Sequence, residues 1–141
     1  MLRHFIQYHN SEKMGYSASK LPEPCIFTNK SVRNLALNTV WLISGEGKSP
    51  KSFYLAAMFN VKRTASGCSG HLGFKNAAYG DGHIFGETIK INGLAWFEKL
   101  KLDLNNFKSG LTELVDPTVF KELEALTSGI PFNKMPNHDA A

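Results

Sequence analysis

Cysteine is scarce in this 141-residue chain, with only Cys25 and Cys68, far apart in sequence. The opening residues carry one basic side chain, Arg3, and a short, interrupted apolar stretch. That is not the pattern of a secretory leader, so both thiols are expected to be reduced and the chain cytoplasmic. No apolar run approaches the roughly 18 residues that a membrane span needs, so no membrane partner is expected. CxxC, HExxH and closely spaced His/Cys clusters are all missing, which leaves no support for a metal site, and no cofactor is expected. The loop glycines Gly67, Gly70, Gly73, Gly80 and Gly82 form neither a dinucleotide fingerprint after a strand nor a phosphate-binding loop. No Ser/His/Asp or Cys/His nucleophile motif is legible, and no catalytic residue is assigned. A metal-dependent nuclease would want Lys two positions after Glu on one strand face. Here Glu87 and Lys90 are three apart, which sets them on opposite faces. Repeats, low-complexity tracts and linkers are also lacking.

What is present suits one globular domain. Hydrophobic residues make up 43% and charged residues 20%. A chain of this length can bury roughly two thirds of its unfolded surface, so it needs no metal or disulfide to hold a core. The net charge is +4. Residues 1–70 hold nine basic and three acidic side chains, and residues 71–141 hold seven and nine. A basic first half can attract phosphates, although an ordinary solvated surface would look the same.

Strands dominate early. Residues 3–10 alternate Phe5/Gln7/His9 against His4/Ile6/Tyr8. Residues 39–44 form a short apolar strand, followed by turn formers from Gly45 to Pro50. Residues 52–62 alternate again, with Phe53, Leu55, Ala57, Phe59 and Val61 on the core face. These two segments make a hairpin. Residues 64–82 read as loop, with a short strand near 71–74, and residues 83–91 as another strand. The last third changes period. Trp96, Phe97 and Leu100 share one helical face. A second helix starts at Asp116 and Pro117, carries a stripe of Val119, Phe120, Leu123 and Leu126, and stops at Gly129. The expectation is one α+β domain over residues 1–130 and a loose tail over 131–141. Its fold is a small curled or closed, mostly antiparallel β-barrel with helices packed on it, mainly C-terminal. Parallel α/β is disfavoured, because the early strands are joined by turns too short for crossover helices.

The candidate site residues cluster first at Gln7-Tyr8-His9-Asn10, which can hydrogen-bond and stack at a barrel mouth. His9 can also serve as a general base. The alternative is a strand-end His and Asn bonded to loop backbone. Tyr16, Trp41 and Trp96 are candidate ring walls for a base, against the alternative that such aromatics are core. Of the basic positions Lys13, Lys20, Lys48, Lys51, Lys62 and Arg63, the phosphate contacts expected are Lys13, Lys62 and Arg63.

The order of these features resembles a known family. An opening strand ends in Tyr8-His9-Asn10, a connector leads to Val40-Trp41-Leu42-Ile43, and the long strand through residues 53–62 follows. After a variable loop come Trp96-Phe97 and helices. Over residues 3–125 this layout is similar to the PUA-like barrels, particularly the EVE and YTH branch. The resemblance implies a pocket for a modified or flipped base in DNA or RNA, lined by aromatics and by polar groups near the first strand. Such domains also occur fused to restriction-type nucleases. The sequence departs from the EVE pattern after the first strand, where Met14-Gly15-Tyr16 stands in the region of a frequent Trp. Three functions follow for testing. One is a non-catalytic nucleic-acid reader. Another is a small-molecule protein or enzyme with His9 or His83 as acid/base. The third is an accessory protein acting through a protein interface.

Overall fold

Alternation of side chains sets the strands, and their pairing was determined from a computed structural model that describes residues 3–47, 51–67, 73–107 and 110–128. The elements in chain order are β1 (His4–Asn10), α1 (Ser11–Met14), a single 3-10 turn (Ala18–Lys20), β2 (Cys25–Thr28), β3 (Thr39–Glu46) and β4 (Ser52–Ala65). They continue with β5 (Asn76–Ile84), α2 (Ala95–Asp103), β6 (Thr112–Leu114) and α3 (Pro117–Ser128). The fold is α+β, with one mixed sheet in the order β2-β5-β4-β3-β1-β6.

The β3–β4 hairpin forms as expected, in antiparallel register from Thr39 opposite Asn60 to Glu46 opposite Ser52. β1 lies beside β3 and runs parallel to it, pairing His4 with Thr39 and Asn10 with Gly45. The short-turn argument against parallel pairing holds for β3 and β4. It does not reach β1 and β3, whose connection through residues 11–38 is long enough for a crossover. The other pairings are antiparallel.

The strand expected at residues 83–91 is shifted. β5 ends at Ile84, and residues 85–91 turn along the first half of β4 instead. Phe85, Ile89 and Ile91 are still buried there, because Phe85 N–H donates to Ala56 and Ile91 N–H to Phe53, while the Ile89 carbonyl accepts from Leu55. Glu87 sits in that turn and Lys90 makes an isolated bridge to Tyr54. β2 and β6 were not foreseen. They are four and three residues long, too short for a legible alternation. Cys68, the turn residues Lys48 to Pro50, the first half of the strand expected near 71–74, Gly129 and the tail lie outside the described residues.

Each face of the sheet has its own core. On one face Phe5, Val40, Leu42, Phe59, Val61 and Ile26 pack with Val32 and Leu35 of the crossover. On the other Ile6, Trp41, Ile43, Leu55 and Phe53 pack under α2 and α3 through Phe97, Leu100, Val119 and Leu123. The α3 start is capped as its sequence implies, with Asp116 Oδ1 accepting from Thr118 N–H at 2.9 Å.

The sheet is rolled without closing. In a flat six-stranded sheet the edge strands would stand ~24 Å apart. Here Lys30, just after edge strand β2, donates through Nζ to the Leu111 carbonyl, just before edge strand β6, at 2.8 Å. No backbone ladder joins the two edges among the described residues. Of the curled and closed forms expected, the closed barrel is not completed by strand pairing among the described residues.

Tight packing of β5 onto β4 depends on glycine. A Cβ at Gly82 would collide with the Met58 carbonyl oxygen and the Phe59 backbone, which cannot swing aside. Gly82→Ala is expected to lower stability by ~1–3 kcal/mol in urea denaturation, whereas Asp81→Ala, at an exposed neighbour, stays within ~0.5 kcal/mol.

Candidate functional site

Period-two alternation divides β1 between the two cores. Phe5, Gln7 and His9 face the concave side, and Ile6 and Tyr8 turn toward the helical layer. Beyond Phe5 the concave side becomes polar, with Gln7 8% and His9 6% exposed and Ser44 and Thr28 also buried. Gln7, His9 and Thr28 border a cavity of about 470 Å³ between β1, β2 and Asn106, Phe107 and Gly110. That volume is within the usual range for small-ligand sites. The lining includes Gln7, His9 and Asn10 from β1, Phe27, Thr28 and Lys30 at β2, and Lys13, Phe74, Asn106 and Phe107 from loops. No described lining residue is Asp or Glu.

Gln7 is the exceptional member. Its Nε2 donates to the Tyr8 carbonyl at 3.2 Å, which fixes the orientation of the amide. Its Oε1 is buried and has no hydrogen-bond partner. A buried acceptor left unpaired costs about 1–3 kcal/mol relative to one that is bonded.

His9 is held by the loop that follows. Its Nε2 lies 2.8 Å from the Tyr16 carbonyl, which can only accept, so Nε2 carries the proton. The Tyr16 ring meets the imidazole edge-on at 5.2 Å between centroids. That loop is pinned in turn by Glu46, whose Oε2 accepts from Ser11 at 2.7 Å, from Ser17 at 2.9 Å and from Ser44. Asn10 serves as the α1 cap, its Oδ1 accepting from Glu12 N–H at 3.1 Å and Lys13 N–H at 3.3 Å. His9 and Asn10 thus make the loop-backbone bonds of the alternative reading and line the cavity as well.

The other sequence candidates divide. Lys13 is exposed at the cavity's edge. Tyr16 lines a neighbouring concavity. Trp41 is not a wall of either. It is 3% exposed on the opposite face, where its Nε1 donates to His4 Nδ1 at 3.2 Å. Trp96 is in the same helical layer, against Phe97. Both tryptophans fall on the wrong side of the sheet because Trp41 alternates with Leu42 and α2 packs outside. Lys62 is exposed at the β4 irregularity after Val61, at the end of the sheet away from Asn10. Arg63 sits over the Tyr79 ring. His83, on β5, pairs with Met58 of β4 and does not line the cavity.

Sequence reasoning missed Phe27, Thr28, Lys30, Phe74, Asn106 and Phe107 as lining residues, because nothing local brings them to β1. Gln7 gave a usable signal, since a glutamine alternating between Phe5 and His9 on a core face requires an explanation. Cys25 also lines the cavity. Burial pushes its thiol up to about 12, so it stays protonated and unreactive. Among the described residues no group of three or more His, Cys, Asp or Glu is arranged to hold a metal ion. No helix is long and apolar enough to cross a membrane among them.

Comparison with protein-family models gives no match, and comparison with curated proteins gives none.

The Glu46 cluster makes stability depend on pH. Burial would raise its carboxyl, but the hydrogen bonds from Ser44, Ser11 and Ser17, helped by His9, hold it below the ordinary value of 4.5. The unfolded chain therefore takes up this proton at higher pH than the folded one. The stabilisation is complete above the ordinary value and is lost as pH falls through the lowered one. The urea midpoint of wild type is expected to exceed that of Glu46→Gln at about pH 6, with the gap narrowing toward about pH 3.

Proposed function

We propose that this protein is a non-catalytic nucleic-acid-binding module that takes one base, modified or flipped out of its stack, into the cavity beside β1. The observation that carries this reading is the Gln7 Oε1, a buried acceptor without a partner at a cavity of ligand size. Every nucleobase presents N–H groups on its edge that can meet such an acceptor. The polarity of the surroundings supports an anionic ligand, since Lys13 and Lys30 line the same cavity and no described carboxylate does. Phe27, Phe74 and Phe107 offer apolar surface for a planar ring.

Each residue has a distinct part in this reading. Gln7 accepts from the base edge. His9, oriented by the Tyr16 carbonyl, adds a second polar contact. Asn10 is a positioning residue, because its cap fixes the backbone of Lys13 at the mouth. Lys13 and Lys30 neutralise flanking phosphates. In this proposal the rolled sheet with helices on its outer face belongs to the PUA-like, EVE and YTH type of barrel, its open seam between β2 and β6 giving access. The module is proposed to act in the cytoplasm.

The test is fluorescence anisotropy of labelled single- and double-stranded DNA and RNA, plain and base-modified, at two salt concentrations. A label on the nucleic acid is needed because Trp41 and Trp96 lie under the helices and do not line the cavity. Salt-sensitive binding that prefers one base is expected. Gln7→Met, close in shape but without the acceptor, is expected to weaken that preferred binding about tenfold while the melting temperature is kept. Lys13→Ala is expected to weaken all sequences alike and to lower the salt slope by about one. Absence of binding across the panel at low salt would overturn the reading.

A further inference from the structure

Beside the base cavity is a second concavity of about 360 Å³, lined by Tyr16, Lys20, Glu23, Phe27 and Tyr79 among others. Leu21, Cys25 and Phe27 line both spaces, so the two adjoin across a shared wall. Strand pairing builds its floor from Tyr79 of β5 opposite Cys25 of β2, and sets Arg63 of β4 at its border, opposite Tyr79 on the other side. The Arg63 guanidinium lies 4.0 Å from the centroid of the Tyr79 ring. Its contact with Glu23 is long, 3.7 Å, between side chains 63% and 51% exposed. A pair this open contributes little and leaves the guanidinium able to take a better anion.

We propose that this concavity is a second subsite, which takes the nucleotide adjoining the base held beside Gln7; the proposal rests on the base-binding reading above. An adjoining nucleotide supplies what the surface lacks. Its base can stack against Tyr16 and Phe27, and its phosphate can meet Lys20 and the Arg63 guanidinium that the Tyr79 ring supports. A quaternary ammonium, the other common guest of clustered rings, fits less well. Arg63 already covers Tyr79, Lys20 adds positive charge, and the carboxylate of the lining, Glu23, faces Arg63. The two subsites are joined through Tyr16, whose carbonyl orients His9 while its ring lines the second concavity.

The experiment is calorimetric titration of the full chain with single deoxynucleosides and with trinucleotides carrying the same central base. The trinucleotide is expected to bind at least about tenfold tighter than its nucleoside. Arg63→Ala, at an exposed position, is expected to remove most of that gain and leave nucleoside affinity unchanged. Tyr79→Phe keeps the ring and is expected to keep the gain, and Tyr79→Ala to lose it. Equal affinity for both probes, or a gain that survives Arg63→Ala, would overturn the second subsite while the base cavity stands. Trinucleotide binding that needs Arg63 but ignores Gln7→Met would retire the base cavity and keep the second site. Absence of binding by either probe, or saturable binding of a trimethyl-lysine peptide at Tyr79 instead, would overturn the proposal.

Discussion

β1 and β3 run in the same direction, and that parallel ladder is the constraint on which the rest of the molecule depends. Parallel neighbours cannot be joined by a tight turn, so the chain must loop away and return. The excursion through residues 11–38 supplies α1 and β2, whose residues wall the cavity beside β1, with the 3-10 turn between them. Because β1 is sandwiched between two cores, a shift of one residue in its pairing would move Gln7 and His9 under the helices and bring apolar Ile6 to the concave side. The register of a seven-residue strand therefore decides whether this side of the sheet is polar.

Where the signal was periodic, the sequence could be read. β1, β3, α2 and α3 show the period that their environment demands, and Asp116 and Pro117 mark a helix start in plain chemistry. The β4 stripe expected on one face is instead split at the hairpin's register shift, with Phe53 and Leu55 under the helices and Ala57, Phe59 and Val61 on the other face. Phe5/Gln7/His9 alternation puts a polar pair on a core face, which is the legible half of the site. The other half was out of reach for a physical reason. Phe27, Phe74 and Phe107 come together only after the sheet rolls, and no local pattern encodes the contact of Lys30 with Leu111. Trp41 illustrates the opposite error. Its size and polar N–H suggest a site residue, but the N–H is satisfied by His4 and the ring is packed away.

A short strained turn lies at the cavity edge. Asn105, Asn106 and Phe107 all have positive φ, at 52°, 56° and 62°. Asparagine tolerates that region and phenylalanine seldom does. Packing compensates at Phe107, which is buried and stacks on Tyr8 at 5.0 Å and near Phe97 at 6.0 Å. The strain is thus held by the outer core, while Asn106 and Phe107 of the same turn line the cavity. A cluster of aromatic rings on one side of the sheet fixes the shape of the recess on the other.

Rolling the sheet has one further effect, on association with other chains. The exposed backbone of an edge strand is a template for unwanted pairing. Here the edges are the two shortest strands, of four and three residues, and the Lys30 bond turns them toward each other. The fourteen-residue β4, the most adhesive strand by length, is inside the sheet with a neighbour on each side. The curvature that creates a recess for a ligand also denies a second copy the flat border on which fibrils grow.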